Sequence, residues 1–220
     1  LRGEALPFSG NTIISVIDPA SRFYTILSDI HDTLQSRPYC RKLALLPPAS
    51  YHVTIFSTAD DRHREPPLWP AGLATAAAMA ACHDYVEERL QGFSLNCTLP
   101  FRFRVADCNP GEMQRTLRLE MEPVDQAENR KLRQLRDRLA SATGIRSPMH
   151  KQYRFHLSLA YVIDWLDRGE EFRLREDYGE WKHLLQAAMP VIEFGQPAYC
   201  TFETMLRYDR RRIVGEIPVL

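Results

Sequence analysis

Nothing in the 220 residues is long and apolar enough to cross a membrane. The longest apolar runs, "LALLPPA" (43–49) and "LATAAAMAAC" (73–82), stop far short of a span. No charged-then-apolar leader opens the chain, so a cytoplasmic protein is expected. It begins at Leu1 rather than Met, which implies that the natural N-terminus has been removed or lies upstream. Charge bias is missing too: Lys+Arg and Asp+Glu number 28 each, which excludes a protein that coats nucleic acid by bulk charge. The five cysteines (Cys40, Cys82, Cys97, Cys108, Cys200) are scattered, odd in number and never spaced as CxxC. That pattern predicts free thiols in a reducing compartment and argues against a cysteine zinc site.

What remains is an ordinary globular composition, 45% hydrophobic and 25% charged, in a chain long enough for one large domain or two small lobes. "NTIISVID" (11–18) has the β-branched content of a strand, and Asp18-Pro19 predicts the start of a helix carrying Phe23, Ile26, Leu27, Ile30 and Leu34 up to Pro38. "KLALL" (42–46) and "YHVTIFS" (51–57) predict two strands joined by a Pro-Pro turn. A charged, proline-rich loop (59–72) precedes a helix expected over 73–90, with Ala76, Ala77, Ala80 and Val86 inward. "FRFRV" (101–105) and "QRTLRLEM" (114–121) alternate as strands around an "NPGE" turn. Asp125 and Glu128 form a capping-box pattern ahead of the Leu132, Leu135, Leu139 stripe, and Gly144 stands at the C-cap position. "QYRFHLSLAYVI" (152–163) is strand-like. A helix with Trp181, Leu184, Leu185 and Ala188 is expected to end before Pro190. A closing hairpin is expected from 198–206 and 212–219, with "RRR" (210–212) as a solvated turn.

Laid side by side, the two halves repeat an architecture. A helix capped by Asp18 leads to a strand containing His52, then helix and strand. A helix capped by Asp125 leads to a strand containing His156, then helix and strand. The fold class expected is therefore α+β, one bilobal unit over residues 1–220 with repeat halves 11–105 and 114–219. Each lobe should be an antiparallel sheet with helices outside, related by a pseudo-twofold axis about a cleft.

Strand periodicity places His52 and Thr54 on one face and Val53 and Ile55 on the other; His156 and Ser158 share a face opposite Phe155, Leu157 and Leu159. Each strand thus buries aliphatic residues and presents an imidazole beside a hydroxyl. Two imidazoles can take and give a proton near neutrality, and two hydroxyls can donate to anionic oxygens. A phosphodiester between them is the substrate that suits the group, and no metal or cofactor is required.

"HVTI" (52–55) and "HLSL" (156–159) resemble the paired signatures of the two-histidine (2H) phosphoesterase superfamily, which includes RNA 2′,3′-cyclic phosphodiesterases. The "RKLALLPPASYHVTIF" stretch is most similar to a bacterial and fungal subgroup. The resemblance covers both motifs, their order, their spacing and the bilobal layout. It implies that His52 and His156 are the catalytic pair and that Thr54 and Ser158 bind phosphate. It implies a cyclic phosphodiesterase acting on a small nucleotide or RNA terminus with a 2′,3′-cyclic phosphate, with no membrane and no obligate protein partner. Which histidine is base and which acid stays open. The rival from another class is a nucleotide- or RNA-end-binding module on the same fold without turnover; binding alone does not need two proton-transfer groups. A histidine metal hydrolase is disfavoured because no carboxylate accompanies either His at ligand spacing.

Further candidates for substrate contact are Arg154, Phe56, Lys42 and Tyr161. Arg154 shares the parity of His156 and meets either a phosphate or a salt-bridge partner. Phe56 shares the parity of His52 and either stacks on a base or fills the core. Tyr161, like Tyr51, has the opposite parity and reaches the cleft only where its strand ends or twists. Lys42 and Arg41 suit the rim or plain solvent. The 59–72 loop suits a lid or a surface excursion. His31, His83, His150 and His183 lack a hydroxyl at the motif spacing and are expected to be structural or solvated.

Overall fold

The computed structural model describes residues 5–107 and 116–215. Its elements run β1 (Gly10–Val16), α1 (Arg22–Ser36), β2 (Leu43–Leu45), β3 (His52–Asp60), α2 (Met79–Arg89), β4 (Phe101–Val105), β5 (Thr116–Pro123), α3 (Gln126–Thr143), β6 (Phe155–Val162), α4 (Arg168–Ala188), β7 (Ile192–Phe194), β8 (Ala198–Thr204) and β9 (Arg207–Ile213). Cys108, the "NPGE" turn and the end of the expected last strand lie outside the described residues. No helix among them is long and apolar enough to cross a membrane.

The strands form two antiparallel sheets, ordered β3-β1-β8-β9 and β2-β6-β5-β4-β7. The fold is the expected α+β arrangement of two sheets with helices, but the lobes are not the sequence halves. In each half a motif strand pairs with the strand before its helix: β3 with β1, and β6 with β5. The third strand is exchanged. β4 of the first half pairs with β5, and β8 of the second pairs with β1. Both sheets therefore share the core order motif strand, partner strand, strand from the other half. That exchange joins the halves without a linker.

The aliphatic faces fix the motif strands. Val53, Ile55, Leu157 and Leu159 are fully buried, and each such side chain contributes roughly 1.5–3 kcal/mol. A one-residue slip would expose all four and bury the histidines, so register is strongly specified.

Several sequence expectations need correction. The cap of α1 is Ser21, whose hydroxyl accepts from the Tyr24 N–H; Asp18 instead builds the turn before it, accepting from Ala20 N–H. With that change the cap-to-histidine offsets become equal, 52 − 21 = 31 and 156 − 125 = 31. Asp125 does cap α3, but Glu128 turns away from it, buried against Arg102 and Lys131. The reciprocal capping box is at Asp167 and Glu170, on α4. Gly144 is left-handed at φ 72°, as a C-cap requires.

Helix α2 begins only at Met79, and Ala76 and Ala80 are exposed: alanine favours helix but buries too little to hold an extra turn. β2 does not pair with β3. β2 pairs with β6, and the turn at Pro48–Ser50 carries the chain from that sheet to β3 in the other. Leu184 is exposed on α4. The closing hairpin turns earlier, near Met205 and Leu206, so the "RRR" residues lie within β9.

Candidate active site

His52 opens β3 and His156 is the second residue of β6, and these two strands lie against each other between the sheets. The imidazoles are held in the same way. His52 Nδ1 lies 2.7 Å from the carbonyl of Ser50, and His156 Nδ1 lies 3.0 Å from the carbonyl of Arg154. In both cases the acceptor is two residues upstream. A carbonyl only accepts, so each Nδ1 carries a proton, and in the neutral ring each Nε2 is left with a free lone pair.

The strands also share a backbone irregularity. In β3, Phe56 pairs with Ile13 and Thr54 with Ile14, which leaves Ile55 as an extra residue. In β6, Ala160 pairs with Leu117 and Ser158 with Arg118, which leaves Leu159 extra. Both bulges fall three residues after the histidine. The carbonyl of Ile55 is taken by Arg136 Nη1 at 2.5 Å, and that of Leu159 by the Leu46 N–H at 2.9 Å.

A bulge reverses the alternation beyond it, and this decides two candidates. Phe56 does not reach the site: it is 1% exposed, packed edge-on to His150 and beneath Arg136. The expectation that it stacks on a base is corrected, because parity counted from His52 stops at Ile55. Tyr161 moves the other way, onto the face of His156 and Ser158, opposite Thr116. There it lies close enough to Tyr208 to influence its phenol.

The other candidates divide similarly. Lys42 sits at the far end of β6, where its carbonyl accepts from the Ile163 N–H, and its ammonium is 2.5 Å from Glu170 on α4. Lys42 heads the influences that hold the Glu170 carboxyl near 2. Lys42 is thus committed to a helix N-terminus and is not brought to the histidines. Arg154 supplies its carbonyl to His156; its side chain is exposed. The 59–72 loop leaves the opposite end of β3 from His52. Trp69 in it is fully buried, with Arg64 over its ring and bonded to the carbonyls of Thr75 and Ala77. A packed Trp anchors a loop, so the lid reading is corrected.

Four aromatic and charged groups escaped the sequence reading. Tyr208 of β9 leans across to His52, ring centroids 4.4 Å apart and edge-on. Tyr153, just before β6, lies 6.1 Å from the His156 ring, and its phenol is close enough to the Thr54 hydroxyl to be influenced by it. It thereby touches both motifs. Arg118 and Glu120 of β5 face Ser158 and His156 across the strand pair and are joined at 2.6 Å. The alternation of "TLRLEM" gave their common face; which strand lay beside it was not readable. Tyr208 left no signal at all.

The electrostatics follow from these neighbours. Burial pushes His52 down to about 4, and the charge of His156 pushes the same way, which puts the two rings in electrostatic contact. His156 is also lowered, first by burial and then by Arg118, with the Arg154 carbonyl and Glu120 opposing. Burial raises the phenols of Tyr153, Tyr161 and Tyr208. Among the described residues, no three His, Cys, Asp or Glu side chains converge as a ligand set for a metal.

Two imidazoles able to take and give a proton thus share motif strands with two hydroxyls, and Arg118 stands opposite Ser158. Comparison with known families matches residues 1–114 to "2H-phosphodiest: Domain of unknown function (DUF1868)". The crystal structure titled "Conserved Protein of Unknown Function ATU0111 from Agrobacterium tumefaciens str. C58" is similar at 27% identity and a TM-score of 0.88. The match covers 97% of this chain and 88% of that one. No functionally curated protein matches.

Proposed function

The chain belongs to the 2H-phosphodiest family, and from that premise we propose that it hydrolyses a 2′,3′-cyclic phosphate on a nucleotide or RNA end. The observation that carries the reading is the pair of imidazoles, each fixed through Nδ1 to a carbonyl two residues upstream, on two strands that lie against each other.

The surroundings assign the roles. His52 lies opposite Val16, and Thr54 opposite Ile14; Ile14 packs with Ala198, Cys200, Tyr208 and Ile213 in an apolar patch apart from the main core. A dry imidazole stays neutral and accepts a proton. His156 lies opposite the Glu120 carboxylate, which pulls toward its charged form against burial and Arg118, and we take it as the proton donor. His52 Nε2 then takes the proton of a water whose oxygen forms a bond to phosphorus. The bond from phosphorus to one ribose oxygen breaks, and that oxygen receives the proton from His156 Nε2. The product is a phosphomonoester. Thr54 and Ser158 donate to the nonbridging oxygens, and Arg118 stands beside Ser158 to share their charge. The nucleoside would lie over Tyr208 and the Ile14 patch.

The test is a screen of purified protein against 2′,3′-cyclic mononucleotides, short RNAs ending in a cyclic phosphate and ADP-ribose cyclic phosphate, followed by phosphorus NMR. Turnover of at least one to a phosphomonoester is expected. Binding without turnover across the panel would turn the reading into that of a binding module.

A further inference from the structure

Beneath the phosphate-binding hydroxyls lies a buried cation that the reaction itself does not use. Arg136 of α3 is 2% exposed, and none of the described carboxylates forms an ion pair with it. The adjacent Asp137 is taken by Arg146 and His150. Its guanidinium lies over the Tyr153 ring, 3.9 Å from the centroid, while Nη1 reaches sideways to the carbonyl of Ile55. One turn earlier on the same helix, Arg133 Nη2 donates to the Tyr153 carbonyl at 2.7 Å. Helix α3 therefore grips Tyr153 twice.

Those contacts end on both motifs. Ile55 is the bulged residue next to Thr54, and Tyr153 brings its phenol near the Thr54 hydroxyl and its ring beside His156. Without a donor at Nη1, the carbonyl freed by the bulge would be buried and unpaired. Only a planar fork can stack on a ring and bond in its own plane at once, which lysine cannot do. Burying an arginine without a carboxylate is costly.

We propose that Arg136 is a positioning residue for the anion site. It locks Thr54 and His156 to each other through Tyr153 and Ile55, and its uncompensated charge is answered by the phosphate group of the substrate. The inference rests on the phosphoesterase reading for its ligand, but its test does not need turnover. In a low-dielectric setting a cation one residue removed from the ligand still acts strongly on it.

The experiment titrates inorganic phosphate into wild type, Arg136→Gln, Arg136→Lys and Tyr153→Phe by calorimetry, with a thermal melt of each. Gln keeps a donor for Ile55 and loses the charge; Lys keeps the charge and loses the plane. Arg136→Gln is expected to weaken phosphate about thirtyfold or more while still melting cooperatively, and Arg136→Lys, which keeps the charge but cannot stack and bond at once, to weaken it by less, about fivefold. Tyr153→Phe should weaken it by roughly threefold, having lost the hydroxyl near Thr54. An Arg136→Gln protein that binds phosphate as wild type does, or an Arg136→Lys protein as weak as Arg136→Gln, would overturn the proposal. If Arg136→Gln does not fold, Tyr153→Phe decides alone, and unchanged affinity there overturns it. Wild type that turns over a cyclic nucleotide but shows no phosphate binding keeps the reaction and sinks this inference. Arg136-dependent phosphate binding with no turnover does the reverse.

Discussion

His52 faces Val16 across its strand pair, whereas His156 faces Glu120; Thr54 faces Ile14, whereas Ser158 faces Arg118. Around these two differences the two half-sites coincide. Each histidine follows its helix cap by the same interval, bonds the same upstream carbonyl and precedes a bulge by three residues. The backbone repeats, and the neighbouring strand does not. Geometry thus comes from the duplicated strand, and chemistry from the strand beside it. On the proposed reading the imidazole with the apolar partner is the base, and the one beside the Arg118–Glu120 pair is the acid.

The largest expected effect removes either imidazole. His52→Ala and His156→Ala should each lower turnover of a 2′,3′-cyclic nucleotide on the order of 10²–10⁴-fold. The double variant should lose less than the product of the two, because the pair acts as a unit. Full additivity, measured under single-turnover conditions, would mean two independent contributions rather than one machine.

Arg118 tests the charged side of the comparison. Arg118→Gln should raise KM by about 10–100-fold, the range of a hydrogen bond between charged groups, while Ile14→Ala at the equivalent position should change it far less. Equal effects would remove the distinction between the half-sites. Thr54→Ala and Ser158→Ala each delete one bond to a phosphate oxygen and should cost about tenfold in kcat/KM.

A smaller effect appears in stability. The folded protein holds His52 near 4, below its ordinary 6.5. The unfolded chain therefore binds the extra proton first as pH falls, and stability drops between about 6.5 and 4. Melting curves across that window should flatten in His52→Gln. A slope unchanged by the substitution would place the burden on other groups, among them His156, His83 and His150, which are also lowered by burial.

Much of this was legible in the sequence. Alternation identified both motif strands and their buried faces, because burial enforces the period of two over Val53–Ile55 and Leu157–Leu159. The repeat was legible as an order of elements, and a near-equal spacing survived even the wrong cap at Asp18. What failed was long-range or sub-residue. Strand exchange between halves leaves no local pattern, since β4 and β8 look alike whichever sheet receives them. A bulge is one residue of slack, and it sent Phe56 into the core and Tyr161 toward the site. Lys42 was misplaced because its strand joined the other sheet, beside Glu170. Arg118, Glu120, Tyr153, Tyr208 and Arg136 matter through neighbours that the fold brings to them, and those neighbours are not written in spacing.

The most direct test of unequal partners is the pH dependence of kcat/KM for a 2′,3′-cyclic nucleotide, in wild type and in Val16→Glu. Val16 is exposed enough to accept the change, which places beside His52 the carboxylate that His156 already has. In wild type the rate should fall on the acid side near 4, as His52 protonates, and on the alkaline side below 6.5, as His156 loses its proton. In Val16→Glu the acid limb alone should move up, narrowing the bell from below. A wild-type profile with both limbs above 6.5, or a Val16→Glu change that moves the alkaline limb instead, would contradict the assignment of base and acid.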